Sequence, residues 1–239
     1  MASTFSSDLK LEIVATGEKA GLWGTITNTN LQILEQSASG YQEIDLAGAS
    51  VTLLLSDGAT SNGKNFYLKL SGTLAGDRTL TMPSGSERVW IISDETVRGG
   101  SNRTLSVLTA SGTSQPVPPG ATLLCVSDGT NTTTRIIEKG YATITDSNSP
   151  YAAVAGAQIF ANTTANPIEI DLPSSPAVGD EITIIDTRGT FNSNNLTIDR
   201  NGQPINSGTS NLVLNTNGQA ITLVYVDATR GWAFKTNTA

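Results

Sequence analysis

The side chains best placed to do chemistry in this sequence are aspartates: Asp94, Asp128, Asp186, Asp199 and Asp227. Two carboxylates facing each other across a cleft could act as acid and base, or acid and nucleophile, in cleaving a glycosidic bond. Yet Asp94, Asp128, Asp186 and Asp227 each end an apolar run just before a turn. An Asp there accepts hydrogen bonds from the backbone immediately ahead, and turn capping is the role their positions predict. Histidine is absent, which removes Ser-His-Asp and Cys-His arrangements and the commonest metal ligand together. Gly99-Gly100 lacks the following Lys and the strand-to-helix setting of a phosphate-cradling loop. No loop has EF-hand spacing, so the Asp-Gly and Asn-rich segments read as turns. Neither a metal nor a cofactor is expected, and neither are catalytic residues.

Aromatic side chains are few, so their positions matter. Trp90 lies inside Val89-Trp-Ile-Ile92 and is expected in the core. Trp232 follows the turn Asp227-Ala-Thr-Arg-Gly231 and alternates with Phe234, which leaves either face of the last strand open to it. An exposed Trp232 or Tyr225 would offer a stacking platform for a sugar, while the plainer reading packs both against a terminal strand. Tyr67 carries the same two readings. Cys125, alone in Ala121-Thr-Leu-Leu-Cys-Val126, reads as a small buried apolar residue.

These positions lie in a β-rich chain. Of 239 residues, 38% are apolar and only 15% charged, with Thr, Ser, Asn and Gly abundant. From residue 41 onward the apolar runs are of strand length, as in Val51-Thr-Leu-Leu-Leu55, Phe66-Tyr-Leu-Lys-Leu70 and Arg88-Val-Trp-Ile-Ile92, bounded by turn signals such as Asn62-Gly63. One order of motifs occurs twice. Thr79-Leu-Thr-Met-Pro83 followed by Glu87-Arg-Val-Trp-Ile-Ile-Ser-Asp94 matches Ile168-Glu-Ile-Asp-Leu-Pro173 followed by Asp180-Glu-Ile-Thr-Ile-Ile-Asp186. Each copy goes through a Gly- and Asn-containing loop, Gly99–Leu105 or Gly189–Leu196, and closes on a hairpin, near Asp128-Gly129 or Asp227-Ala228.

The expected fold is therefore all-β, with two tandem similar domains of β-sandwich or jelly-roll type, residues 41–139 and 140–239, after an N-terminal arm and short helix in residues 1–40. Only two copies occur, too few for a solenoid or propeller within one chain. Domains of this size gain from association, so a homo-oligomer is expected. The net charge of −7, from 14 basic and 21 acidic residues without basic clusters, argues against a nucleic-acid partner. No run approaches the length of a membrane span, and the N-terminus lacks a basic start followed by an apolar block. Synthesis in a cytoplasm without membrane insertion is the expectation. The Asn-x-Thr sequons at Asn102, Asn131, Asn162 and Asn195 carry no weight in that setting.

The N-terminal segment differs from the rest. In Gly21-Leu-Trp-Gly-Thr-Ile-Thr-Asn-Thr-Asn-Leu-Gln-Ile-Leu-Glu-Gln36, Trp23, Ile26 and Leu34 fall on one helical stripe with Leu31 beside it, and Gly40 follows as a stop signal. A helix of roughly fifteen residues built from Thr, Asn and Gly is marginal alone, so it must pack on the first β domain or on copies of itself. Residues 1–20, with the short run Leu9-Lys-Leu-Glu-Ile-Val14, read as an extended arm suited to attachment.

Gly17-Glu-Lys-Ala-Gly-Leu-Trp-Gly-Thr-Ile-Thr-Asn-Thr-Asn-Leu-Gln-Ile-Leu-Glu35 resembles an N-terminal motif of virion structural proteins of marine tailed phages, cyanophages especially, often of tail-fibre type. Leu172-Pro-Ser-Ser-Pro-Ala-Val-Gly-Asp-Glu-Ile-Thr-Ile-Ile-Asp186 with Asn194-Asn-Leu-Thr-Ile198 is similar to repeated β modules of the same proteins. The first copy departs from that pattern, with Ser84-Gly-Ser-Glu-Arg88 where the second has Ser174-Ser-Pro-Ala-Val-Gly-Asp180. The resemblance implies a non-enzymatic virion protein assembled in the host cytoplasm, a homotrimer anchored to tail or baseplate proteins through Trp23, Ile26, Leu31 and Leu34, with β domains turned toward a host surface glycan or protein. The alternatives are a capsid decoration or head fibre, a glycan-binding module using Trp232 or Tyr225, and an enzyme that trims surface polysaccharide.

Overall fold

The computed structural model describes residues 3–98 and 103–238. The Gly99-Gly100 turn and the Asn102 sequon lie outside the described residues. The chain opens with a two-stranded arm, β1 (Thr4–Phe5) against β2 (Glu12–Ile13), followed by helix α1 (Trp23–Ser39). Next come β3 (Tyr41–Asp45), β4 (Val51–Thr52), β5 (Tyr67–Ser71), β6 (Thr73–Leu74), β7 (Arg78–Met82), β8 (Glu87–Asp94), β9 (Val97–Arg98), β10 (Leu105–Thr109), β11 (Gln115–Pro116), β12 (Thr122–Asp128) and β13 (Thr132–Glu138). A second series follows: β14 (Ala142–Ile144), β15 (Tyr151–Ala152), β16 (Gln158–Ala161), β17 (Ile168–Asp171), β18 (Glu181–Asp186), β19 (Leu196–Asp199), β20 (Leu212–Leu214), β21 (Ala220–Asp227) and β22 (Gly231–Thr238).

Strands β3, β5 and β8 run parallel side by side, and so do β4, β7 and β10 in a second sheet. Parallel neighbours require the chain to leave the sheet and return between them. It does so by crossing to the other sheet each time, so successive circuits stack as rungs. Antiparallel strands then close the stack, β12 on β8 and β13 on β12, and β11 on β10. The second series repeats this order: β22-β21-β18-β16-β14 corresponds to β13-β12-β8-β5-β3, and β20-β19-β17-β15 to β11-β10-β7-β4.

The chain is thus all-β with one α-helix, but its sheets are solenoid-like rather than jelly-roll sandwiches, whose strands would be antiparallel. The two-copy count argues against a solenoid, and the structure corrects that reading: the repeating rung is far shorter than the duplicated unit. Tyr41 pairs with Tyr67 and Tyr67 with Ile91, a rung of roughly 25 residues and within the range typical of solenoids.

Alternation along the strands sends one side chain in two to the interior, as in β8, where Arg88, Trp90, Ile92 and Asp94 are buried. Two separate apolar clusters result. One joins Trp90, Ile92, Leu68, Leu70, Leu123 and Cys125, and the other joins Ile182, Ile184, Phe191, Leu196, Leu223 and Trp232, among other residues. Burying side chains of this size contributes about 1.5–3 kcal/mol each. Trp90 is buried as expected, its Nε1 donating to the Gly63 carbonyl at 3.0 Å. The Cys125 thiol is also interior, and burial pushes its pKa up to about 12.

Candidate docking surface

Helix α1 has no side-chain cap at its start; Leu22 occupies that position. Its end is set by Gly40, where an added Cβ would collide with the Gln36 carbonyl and lie 2.6 Å from Asn65 Oδ1. With φ of −65°, Gly40 is needed there for close approach and not for backbone freedom. One side of the helix faces the first β unit. Ile33 is buried, Gln36 Oε1 accepts from the Ser61 amide at 3.3 Å, and Ser37 Oγ accepts from Arg88 Nη2 at 3.5 Å.

The arm lies against this assembly rather than extending away from it. The Asn30 side chain imitates a strand partner, Oδ1 accepting from the Glu12 amide at 3.0 Å and Nδ2 donating to the Glu12 carbonyl at 2.9 Å. Asp8 Oδ1 accepts from the Glu87 amide, Ser86 Oγ donates to the Asp8 carbonyl, and Gly58 N–H donates to the Lys10 carbonyl. The Asp8 carboxyl lies below its ordinary range, chiefly through the Glu87 amide. None of residues 3–20 is buried, though Phe5, Leu9 and Leu11 are half-buried and the Phe5 ring lies against Gly58.

The expected stripe divides in this setting. Ile26 and Asn30 are half-buried toward the protein, while Trp23, Leu31 and Leu34 are 64%, 58% and 42% exposed. Ile33, absent from the expected stripe, is the residue that packs. Trp23, Thr27, Leu31, Leu34 and Ala38 follow spacings of four and three residues, which sets them along one side of the helix. Only Glu35 among the residues of α1 carries a charge. The result is a neutral, apolar helix face turned outward.

Beneath the helix lies a pair of buried cations, Lys64 and Arg88, that no motif announces. Lys64 Nζ donates to the Ser56 and Ala59 carbonyls, both at 2.6 Å, tying down the loop that receives Lys10. Burial, with the neighbouring Arg88 charge, pushes the Lys64 pKa down to about 8. The Arg88 guanidinium sits 5.5 Å from the Trp90 ring and donates to the Lys64 carbonyl at 2.9 Å.

The aspartates act as their positions predict. Asp128 Oδ1 accepts from the Thr130 and Asn131 amides, Asp227 Oδ1 from Thr229 and Arg230, and Asp199 Oδ1 from Asn201. Those amides hold all three carboxyls below their ordinary range. Asp94 and Asp186 are buried and fully engaged. No group of three metal-ligating side chains occurs among the described residues.

Trp232 and Tyr225 do not form the sugar platform considered for them. Trp232 is fully buried and Tyr225 is 7% exposed, their rings meeting edge to face at 5.5 Å with Tyr225 Oη donating to Gln203 Oε1. Their register in the last hairpin points both rings into the core, so neither offers a face to solvent. Aromatic surface is found instead at the outer strands, where Tyr41 stacks on Tyr67 at 5.7 Å and Tyr141 on Phe160 at 4.9 Å. A cleft of about 540 Å³ borders Ser7, Asp8, Ser86 and Asp128, and one of about 750 Å³ lies between the β units beside Pro116, Ile136 and Val154. Neither holds any of the candidate aromatic or helix residues.

No helix among the described residues is long and apolar enough to cross a membrane. No protein-family model matches the chain, and no curated protein matches it. Among solved structures it is similar, at 14% identity and a TM-score of 0.36, to one described as "Structure of a chaperone-substrate complex", over 82% of this chain and 35% of that one. The chain spans about a third of that structure's length.

Proposed function

We propose that this chain is a non-enzymatic structural protein of a tailed-phage particle, a homotrimer whose N-terminal arm and helix attach it to a tail or baseplate protein while residues 41–139 and 140–239 project as two β domains toward the host surface. The observation that carries this reading is the outward face of α1, where Trp23, Leu31 and Leu34 stay exposed although Ile33 already secures the helix to its own chain. Apolar area of this kind gains about 25 cal/mol per Å² when covered, so a permanent neighbour on the helix is favoured. A neutral face on a helix with one charge, Glu35, permits like copies to approach without repulsion. The resemblance of residues 17–35 to phage virion proteins supports the setting, and the low charge of the chain suits permanent subunit contact.

The test is a particle carrying Trp23→Ser, Leu31→Ser and Leu34→Ser together, with Ile33 intact. The expected result is a folded protein that no longer joins the particle. Normal incorporation of the triple variant would remove the attachment role from this face.

A further inference from the structure

We infer that Asn201 is the site at which the folded chain is modified spontaneously, by intramolecular deamidation through a succinimide to aspartate and isoaspartate. In this reaction the backbone nitrogen of the following residue, after losing its proton to solvent base, attacks the Asn side-chain carbonyl carbon. A new C–N bond closes a five-membered imide, and the side-chain nitrogen leaves as ammonia with a proton from solvent. Water then opens the imide at either carbonyl. The reaction needs only water, and it is fastest where the next residue is Gly or Ser and its N–H is free to move onto the side chain.

Six Asn-Gly or Asn-Ser junctions occur among the described residues, beginning at Asn62, Asn148, Asn192, Asn201, Asn206 and Asn217. Five have the attacking nitrogen engaged. Gly63 N–H donates to the Leu54 carbonyl at 3.1 Å, Ser149 to Asp146, Ser193 to Thr190, Ser207 to Arg230, and Gly218 to Asp186 Oδ2 at 3.0 Å. Each of these bonds must break before the ring can close. Gly202 N–H has no such partner among the described residues, both Asn201 and Gly202 are exposed, and nothing lies within 4 Å of where a Gly202 Cβ would stand, so the bond to give up there is that of the Asn201 side chain to the Leu172 carbonyl at 2.8 Å. Glycine adds no side chain to obstruct the approach.

The modification would also have a structural effect. Asn201 Nδ2 donates to the Leu172 carbonyl at 2.8 Å, tying the loop after β19 to the end of β17. A carboxylate there accepts only, so it would face that carbonyl without a donor. It would also join Asp199 and Asp171, which pair across β17 and β19. Burial and the Asp199 charge already raise the Asp171 carboxyl. The modified chain is expected to be looser at this corner of the second β unit.

The experiment holds the full chain in mildly alkaline buffer, native and in parallel unfolded in urea, and maps amide-to-acid conversion and isoaspartate by peptide mass spectrometry over time. In the native chain Asn201 is expected to react at least about tenfold faster than Asn62 or Asn217, a ratio corresponding to about 1.4 kcal/mol of barrier. In urea the three Asn-Gly sites should converge, and Asn201→Gln should remove most native conversion. Equal native rates at the three sites would overturn the inference. So would an Asn201 that stays intact in the native chain while the unfolded sites react.

Discussion

Asp94 and Asp186 end corresponding strands of the two β units, yet their carboxylates are held by different groups. Asp94 Oδ2 accepts from Arg98 Nη2 at 2.7 Å and from the Gly120 amide, and Oδ1 accepts from Thr96. Among the described residues Asp186 has no cationic partner and accepts instead from five backbone amides, those of Arg188, Gly189, Thr190, Phe191 and Gly218. One unit closes this corner with a side-chain charge and the other with the peptide backbone.

Asp186→Ala is therefore expected to strand the buried Phe191 N–H and loosen four half-buried or exposed ones, destabilising the chain by about 2 kcal/mol or more. Amide hydrogen exchange should quicken across β18 and β21 while β8 and β12 keep their protection. An equal loss of protection in both units would show that the corner is not a local device.

Lys64 and Cys125 act on stability in opposite directions at alkaline pH. Its pKa is about 8 in the folded chain and near 10.4 when unfolded, so between these values the folded state binds fewer protons. Burying the charged form is a cost borne in full below pH 8 and relieved as pH rises past it, so stability should increase between about pH 8 and pH 10. Cys125, pushed up to about 12 by burial, opposes this from its ordinary value of about 8.5 upward, and Tyr151, also raised by burial, does so above its own. The Lys64 effect is therefore read in Cys125→Ala, where urea midpoints across this window should climb and should stay level when Lys64→Met is added. A falling midpoint in Cys125→Ala would contradict the assignment.

The arm should be the easiest part of the structure to release. Asn30→Ala removes both bonds to Glu12, each worth about 0.5–1.5 kcal/mol. Tryptic cleavage after Lys10 and Lys19 is expected to accelerate about tenfold while both cores stay protected. Unchanged cleavage would mean that other contacts carry the arm.

What could be read in advance follows from which interactions are local. The turn-capping aspartates, the Trp90 and Cys125 interiors, the duplicated motif order and the helix ending at Gly40 all rest on neighbours a few residues apart. The solenoid-like route rests on pairings such as Tyr41 with Tyr67 and Tyr67 with Ile91, which no residue type announces. Trp232 was ambiguous because alternation fixes that two residues share a face without fixing which face is inside. On α1 the expected stripe runs through Ile26 and Leu34, but the side of the helix turned to the first β unit buries Ile33 and leaves Leu34 42% exposed. The Lys64–Arg88 pair left no trace in sequence, since both cations become buried only when the helix and the loop at Ser56 to Ser61 close over them.

The central claim is that the exposed face of α1 meets other copies of the chain. Light scattering coupled to size-exclusion chromatography measures it most directly, on the native chain and on Leu31→Glu with Leu34→Glu. The native chain is expected to elute as a stable trimer, and the double variant as a folded monomer, because three copies would otherwise bring six carboxylates together on an apolar seam. A native chain that is monomeric at every concentration, or a double variant that remains trimeric, would contradict it.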